Sequence, residues 1–224
     1  MKIDFVTLGE SMVLVQPLRD GGLAHEMLLS RSIGGAESNV AIALSRLGKK
    51  SRWVSRLGVD PFGDLIEKTL RGEGVDTSFV ARDENFPTAV FFREIKAWGE
   101  PRVYYYRQNS AASRLSPADV CENWLRDACH LHVTGITPAL SESAREAVVH
   151  AMKTALQLGL TVSFDRTLRR KLLSENEARE TLLNLIPLCD IFLPGMDEAK
   201  FLLQENIEDV EKCAQKFLDL GPKL

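Results

Sequence analysis

The feature of this sequence that most constrains its fold is the alternation of short apolar runs with longer amphipathic stretches. The runs at 3–8, 130–134 and 191–193 are rich in β-branched and apolar residues and predict buried strands. Between such runs, stretches at 37–47 and 143–158 carry apolar residues at helical spacing and end before a glycine. Strands that alternate with helices are typical of a parallel sheet covered by helices. The sequence therefore predicts an α/β domain.

Two local patterns refine this prediction. The segments 89–95 and 102–107 alternate like the two strands of an antiparallel pair and are joined by a loop with Gly99 and Pro101. The helix at 37–47 is predicted to face the core through Val40, Ala43, Leu44 and Leu47.

Composition excludes several classes of protein. With 224 residues and a net charge of -3, the chain is long enough for one large core and lacks the basic surface of a nucleic-acid-binding protein. It contains no run of about eighteen apolar residues and no signal-peptide pattern, so we expect no membrane partner. Its four cysteines are scattered without metal-binding spacing, as in a cytoplasmic protein with reduced thiols.

One glycine-rich segment precedes the helix at 37–47. Gly34 and Gly35 would allow backbone amides to approach a ligand at a helix N-terminus, and Asn39 in the first turn could hydrogen-bond hydroxyl groups. On its own, this glycine pair could equally be a simple turn.

The longer spacing is more specific. Gly34-Gly35 through Asn39 and Ala41, then Gly48, then 58–63 (GVDPFG), resembles the first signature of the PfkB-type (ribokinase-like) carbohydrate kinases. This resemblance implies a three-layer α/β/α ribokinase-like domain over residues 1–224, with a mainly parallel sheet. It also implies a small β lid from segments near 12–33 and 79–107, and a homo-oligomer built through that lid.

Further segments resemble the 2-keto-3-deoxygluconate kinase branch of this family. They are 88–94 (TAVFFRE), 104–107 (YYYR), 110–113 (SAAS), 135–140 (GITPAL) and 163–165 (SFD) followed by Leu168 and Arg169. The resemblance implies a kinase that uses ATP and magnesium to phosphorylate 2-keto-3-deoxygluconate. The expected substrate-binding residues are Gly34, Gly35, Asn39, Phe91, Tyr105, Arg107 and Arg169.

The two arginines fit a sugar acid, because a guanidinium can bind a carboxylate through two hydrogen bonds. Other interpretations remain open for both. The segment 104–107 could be a half-exposed strand with Tyr105 and Arg107 on one face, and Arg169 could form a surface ion pair with Asp165.

For the cofactor, the resemblance implies that Thr167, Arg169 and Glu198 lie near ATP, with Glu198 acting indirectly on magnesium. Gly195 stands where many relatives have Asn, and Glu198 could instead be an acidic residue that stabilises a helix N-terminus. The second family signature, D-T-x-G-A-G-D, does not occur in the sequence. We therefore expect a C-terminally truncated kinase whose catalytic base lies beyond residue 224, so that this chain contains no catalytic residue and is inactive alone.

Two alternatives remain at this stage. The chain could come from another kinase of the same family, such as a fructokinase or a ribokinase-like enzyme, or it could be a non-catalytic sugar-binding fragment. His130 and His132, two residues apart on one predicted strand, are expected to be structural.

Overall fold

The computed structural model describes residues 2–19, 22–94, 101–166 and 174–224. Its strands are β1 (Ile3–Leu8), β2 (Met12–Pro17), β3 (Leu29–Gly34), β4 (Ser51–Gly58), β5 (Val80–Asp83), β6 (Val90–Glu94), β7 (Arg102–Tyr106), β8 (Ala128–Thr134), β9 (Thr161–Asp165) and β10 (Ile191–Leu193). Its α-helices are α1 (Ala36–Arg46), α2 (Pro61–Gly72), α3 (Glu142–Gln157), α4 (Glu175–Leu185), α5 (Met196–Leu203) and α6 (Val210–Leu218). No described helix has the length and apolar character needed to cross a lipid bilayer.

Six strands form a parallel sheet in the order β10-β9-β8-β1-β4-β5. Strand β4 shows why both faces are covered. Val54 belongs to a large apolar cluster with α3, α4, α5 and α6, whereas Trp53 and Leu57 point the other way and pack with α1 and α2. The predicted three-layer α/β/α architecture is therefore confirmed.

The other four strands form a second sheet in the order β3-β2-β6-β7, which we call the lid. Strands β2 and β6 are parallel, whereas β2–β3 and β6–β7 are antiparallel pairs. The antiparallel pair predicted for 89–95 and 102–107 is present as Val90–Glu94 with Arg102–Tyr106, and residue 95 lies outside the described residues. The lid differs from the expected segments 12–33 and 79–107 in one respect. Val80–Asp83 pairs with β4 in the main sheet, and the second lid segment starts at Val90.

Helix α1 differs from its predicted orientation. Ala43 and Leu47 are exposed, and Leu47 reaches 76% exposure, whereas Ser38 and Ala41 are buried. Small residues allow α1 to lie close to the sheet: the Ser51 hydroxyl donates to the Ala41 carbonyl at 2.8 Å, and the Ser38 and Ser11 hydroxyls are 3.1 Å apart. The apolar spacing predicted the helix but not the face by which it packs.

Capping residues set the starts of several helices. Asp60 accepts hydrogen bonds from the backbone N–H groups of Phe62 and Gly63 at the start of α2, and its other oxygen accepts from Thr88 N at 2.7 Å, just before the lid. Helix α3 begins at Glu142 with Ser141 as its N-cap, so it starts one residue before the expected stretch 143–158.

Candidate functional site

A cleft of about 240 Å³ lies between the lid and the N-terminus of α1. It brings together six of the residues predicted from the sequence to bind substrate: Gly34, Gly35, Asn39, Phe91, Tyr105 and Arg107. The other residues that line it are Glu10, Met12, Ala36, Glu37 and Ile136. Because Glu10 follows β1 and Ile136 follows β8, the cleft lies at the carboxyl ends of the parallel strands, where ligands of α/β proteins bind.

A second depression, of about 360 Å³, lies on the surface of α4. Its lining residues all come from that one helix: Asn176, Arg179, Glu180, Leu183 and Asn184. A site that recognises a small molecule needs polar groups converging from several elements. The smaller cleft under the lid meets this requirement and the depression on α4 does not.

The glycine pair allows other groups to approach it closely. A Cβ atom on Gly35 would lie 2.4 Å from the Glu10 carbonyl oxygen, and one on Gly34 would lie 3.0 Å from the Phe91 ring. Both glycines therefore remove side-chain atoms from the floor of the cleft, and Gly35 also provides the extended N-cap of α1.

Two aromatic residues form the lid side of the cleft. Phe91 on β6 and Tyr105 on β7 are directly paired across the strands, and their rings stack with centroids 5.8 Å apart. Because side chains alternate along β6, Val90 points to the opposite face, where it packs against the apolar cluster that contains Trp53 and Leu57. The lid thus rests on the core through one face and presents an aromatic surface to the cleft through the other.

Arg107 lies at the end of β7 and is almost completely buried. Its guanidinium stacks over the Tyr105 ring at 5.5 Å, and its Nη2 atom lies 2.5 Å from Oε2 of Glu10, whose side chain is 1% exposed. The Ser110 hydroxyl donates to the other Glu10 oxygen at 2.8 Å. Burial raises the pKa of Glu10, and the positive charge of Arg107 and the hydrogen bond from Ser110 oppose the shift.

A second buried carboxylate faces the same cleft. Glu37, in the first turn of α1, accepts hydrogen bonds at one oxygen from the hydroxyls of Thr134, at 2.7 Å, and Thr137, at 2.8 Å. Its side chain passes over Gly9, where a Cβ atom would lie 2.2 Å from the carboxyl carbon. Desolvation raises the pKa of Glu37, opposed by these threonine hydrogen bonds and by the charge of Arg107.

Glu10 and Glu37 are the site residues that sequence reasoning missed. Both acids lie where solvent exposure is the ordinary expectation, one in a turn and the other in a helix first turn. A signal was nevertheless present: Glu10 follows a buried strand, and the carboxyl ends of parallel strands meet at one edge of a sheet.

Of the predicted cofactor residues, Thr167 and Arg169 lie outside the described residues, so the expected contact of Arg169 with substrate does too. Glu198 is described, and both of its oxygens are engaged. One accepts from Gly195 N at 3.0 Å as a cap of α5, and the other lies 3.3 Å from Arg166 Nη1. Within the described ranges no three His, Cys, Asp or Glu side chains are close enough to hold a metal ion.

The predicted histidine pair is structural in its contacts. His130 and His132 share the Ser163 hydroxyl on β9, at 2.7 and 2.9 Å. Burial, with a smaller effect from His132, lowers the pKa of His130 to about 4, so the ring is neutral at physiological pH.

Comparison with known proteins identifies the family. The model for the pfkB family of carbohydrate kinases matches residues 2–224. The 2-dehydro-3-deoxygluconokinases of Bacillus subtilis (strain 168) and Thermoproteus tenax are 42% and 34% identical, over 99% and 98% of this chain. The chain spans 68% and 67% of the length of these two relatives.

Solved structures agree with this result. A PfkB protein from Polaromonas sp. JS666 superimposes with a TM-score of 0.94 at 38% identity, over 99% of this chain and 74% of that one. A putative ribokinase II from E. coli, solved in complex with ATP and Mg²⁺, gives a TM-score of 0.87 at 26% identity, over 98% of this chain and 70% of that one. The fold, the position of the cleft and the family match over residues 2–224 lead to one conclusion: the chain belongs to the pfkB family of carbohydrate kinases.

Proposed function

We propose that this sugar kinase acts on 2-keto-3-deoxygluconate, and that the cleft under the lid holds the sugar acid with its carboxylate at Arg107. The observation that carries the proposal is the buried guanidinium of Arg107 at the cleft wall. It lines the cleft and forms an ion pair with Glu10 at 2.5 Å. A guanidinium in a cleft lining can form charge-assisted hydrogen bonds with a bound carboxylate.

The rest of the cleft suits a polyhydroxylated ligand. The Phe91–Tyr105 surface can cover the apolar face of a sugar, and Asn39 and the amides next to the glycine pair can hydrogen-bond its hydroxyls. The names of the two 2-dehydro-3-deoxygluconokinase relatives support the same substrate, since 2-dehydro-3-deoxygluconate is another name for 2-keto-3-deoxygluconate. The family and the ATP–Mg²⁺ complex of the E. coli relative support ATP and magnesium as the other reactants.

One observation favours a second candidate, a kinase of the same family that phosphorylates a neutral sugar such as fructose or ribose. Glu10 already balances the charge of Arg107, and Glu37 adds another carboxyl group to the cleft. Among the described residues the cleft therefore carries no excess positive charge. A neutral sugar would meet no electrostatic penalty there.

Replacing Arg107 separates the two candidates. We expect Arg107→Gln to weaken binding of 2-keto-3-deoxygluconate by about 100-fold, because it removes charge-assisted hydrogen bonds, and to change binding of fructose by less than about threefold. Isothermal titration calorimetry with both ligands measures these effects. Equal losses for the two ligands would favour the neutral-sugar kinase.

Arg93→Gln is the matched control for this experiment. Arg93 lies on the neighbouring lid strand and hydrogen-bonds Gln16 outside the cleft lining, so both affinities should stay within about twofold of the wild type.

We also propose that residues 1–224 alone do not phosphorylate a sugar, because the sequence lacks the second family signature with its aspartate base. The same samples should therefore release no ADP when ATP is added, and steady ADP release would contradict this part of the proposal.

We further propose that two copies of the protein associate through the lid, as the family resemblance implies. The support comes from four exposed apolar residues at the tip of the β2–β3 hairpin: Leu18, Met27, Leu28 and Leu29. The hairpin is also an edge of the lid, because β3 pairs with β2 alone in that sheet.

A further inference from the structure

The ion pair between Glu10 and Arg107 connects the two sheets of the molecule. Glu10 lies in the connection between β1 of the main sheet and β2 of the lid, whereas Arg107 follows β7 at the far edge of the lid. The two charged groups meet in the wall of the cleft. The contact therefore fixes the end of β7 relative to the core at the place where a ligand would bind.

The pair balances charge in the wall of the cleft. The Nη2 atom of Arg107 is 2.5 Å from Glu10 Oε2, and both side chains are buried. Glu10 thus compensates the positive charge of Arg107 where the guanidinium lines the cleft. A guanidinium without this compensation would be costly to keep in so dry a position.

Glu10 is itself held in place from the lid side. Ser110, in the turn after Arg107, donates its hydroxyl to Glu10 Oε1 at 2.8 Å and also accepts from Ser113 N at 3.3 Å. The Glu10 carboxylate therefore cannot rotate away from Arg107 without breaking a buried hydrogen bond.

We propose that Glu10 is a positioning residue for substrate specificity: it retains the Arg107 guanidinium in the cleft lining, and so acts on the substrate through Arg107. This inference rests on the proposed function, in which Arg107 binds the carboxylate of a sugar acid. It makes a specific statement about coupling. Removing the Glu10 charge weakens binding of the sugar acid only while Arg107 is present.

A double-mutant cycle tests this coupling directly. Calorimetry with 2-keto-3-deoxygluconate and with fructose compares the wild-type protein with the Glu10→Gln, Arg107→Gln and double variants. We expect Glu10→Gln to weaken binding of the sugar acid at least about tenfold in the wild-type background and less than about twofold in the Arg107→Gln background. Its effect on fructose binding should also stay below about twofold.

Two results would overturn the inference. A similar loss of sugar-acid affinity in both backgrounds would mean that Glu10 contacts the substrate itself or serves the fold in general. A similar loss for fructose would exclude a role through the carboxylate. By contrast, a wild-type protein with no preference for the sugar acid would contradict the proposed function, whatever Glu10 does.

Ser110→Ala provides a milder test in case Glu10→Gln does not fold, which circular dichroism would reveal. It removes one hydrogen bond to Glu10 and leaves both charges in place. The expected result is a smaller loss of sugar-acid affinity, about threefold, that again vanishes in the Arg107→Gln background. A loss that persists in that background would count against the positioning role.

Discussion

At the scale of single residues, Glu37 is a carboxyl group whose surroundings oppose its charge. It is buried beneath α1, the Thr134 and Thr137 hydroxyls bind one oxygen, and Arg107 is the cation whose charge acts on it. Burial outweighs these interactions and raises the pKa of Glu37 above its ordinary value of 4.5. The protonated form is therefore favoured more in the folded state than in the unfolded state.

This shift predicts a specific pH dependence of stability. The contribution of Glu37 is fully present below pH 4.5, where the group is protonated in both states, and is lost as the pH rises through its folded-state pKa. Relative to Glu37→Gln, the wild type should therefore lose free energy of unfolding as the pH increases from 4 to 7. Urea unfolding of both proteins across this range measures the difference, with Glu146→Gln, at an exposed position on α3, as the control for removing one carboxylate. A difference that does not vary with pH would contradict the raised pKa.

Sequence reasoning reached part of the site at this scale. The period of two placed Tyr105 and Arg107 on one face, and Gly34, Gly35, Asn39 and Phe91 line the same cleft in the structure. The partner of Arg107 could not be predicted, because Glu10 is almost a hundred positions away in sequence and meets it only through the pairing of the two sheets. The binding roles of all these residues remain predictions.

At the scale of elements, the sequence predicted most strands and helices because each carries a local signal. The capping box of Ser174 and Glu177 starts α4, and the glycine after α3 ends it with a positive φ at Gly159. The prediction of the face by which α1 packs was wrong. The tight contact made by Ser38 and Ala41 depends on hydrogen bonds to residues distant in sequence. The expected lid segment 79–107 included β5, which instead pairs with β4 in the main sheet. No local signal in the sequence shows which of two sheets such a short strand joins.

The tip of the β2–β3 hairpin yields a prediction at this scale. Met27 is 93% exposed and lies beside three exposed leucines. A charge placed at this position would have to be desolvated in any contact with a second copy. We expect Met27→Asp to halve the mass measured by sedimentation velocity, whereas Leu47→Asp, at an exposed leucine at the end of α1, leaves it unchanged. A wild-type monomer, or an unchanged mass for Met27→Asp, would exclude association through the lid.

At the scale of the whole molecule, the cleft exists because two sheets meet at the carboxyl ends of β1 and β8. The lid packs through Val13 and Val90 onto the cluster around Trp53, and this packing holds the aromatic face of the lid over the glycine turn.

At the β10 edge of the main sheet, Phe192 N donates to the Leu224 carbonyl at 2.8 Å and Leu224 N donates to the Asp190 carbonyl at 3.1 Å. This pairing follows the parallel pattern of the strands beside it.

The central claim is that this architecture holds a sugar acid by its carboxylate. The most direct test is a crystal structure of the protein with 2-keto-3-deoxygluconate. We predict that the carboxylate oxygens lie about 3 Å from nitrogen atoms of Arg107, with the sugar between Gly34 and the Phe91–Tyr105 surface. A ligand whose carboxylate points away from Arg107, or that binds outside the cleft, would contradict the account.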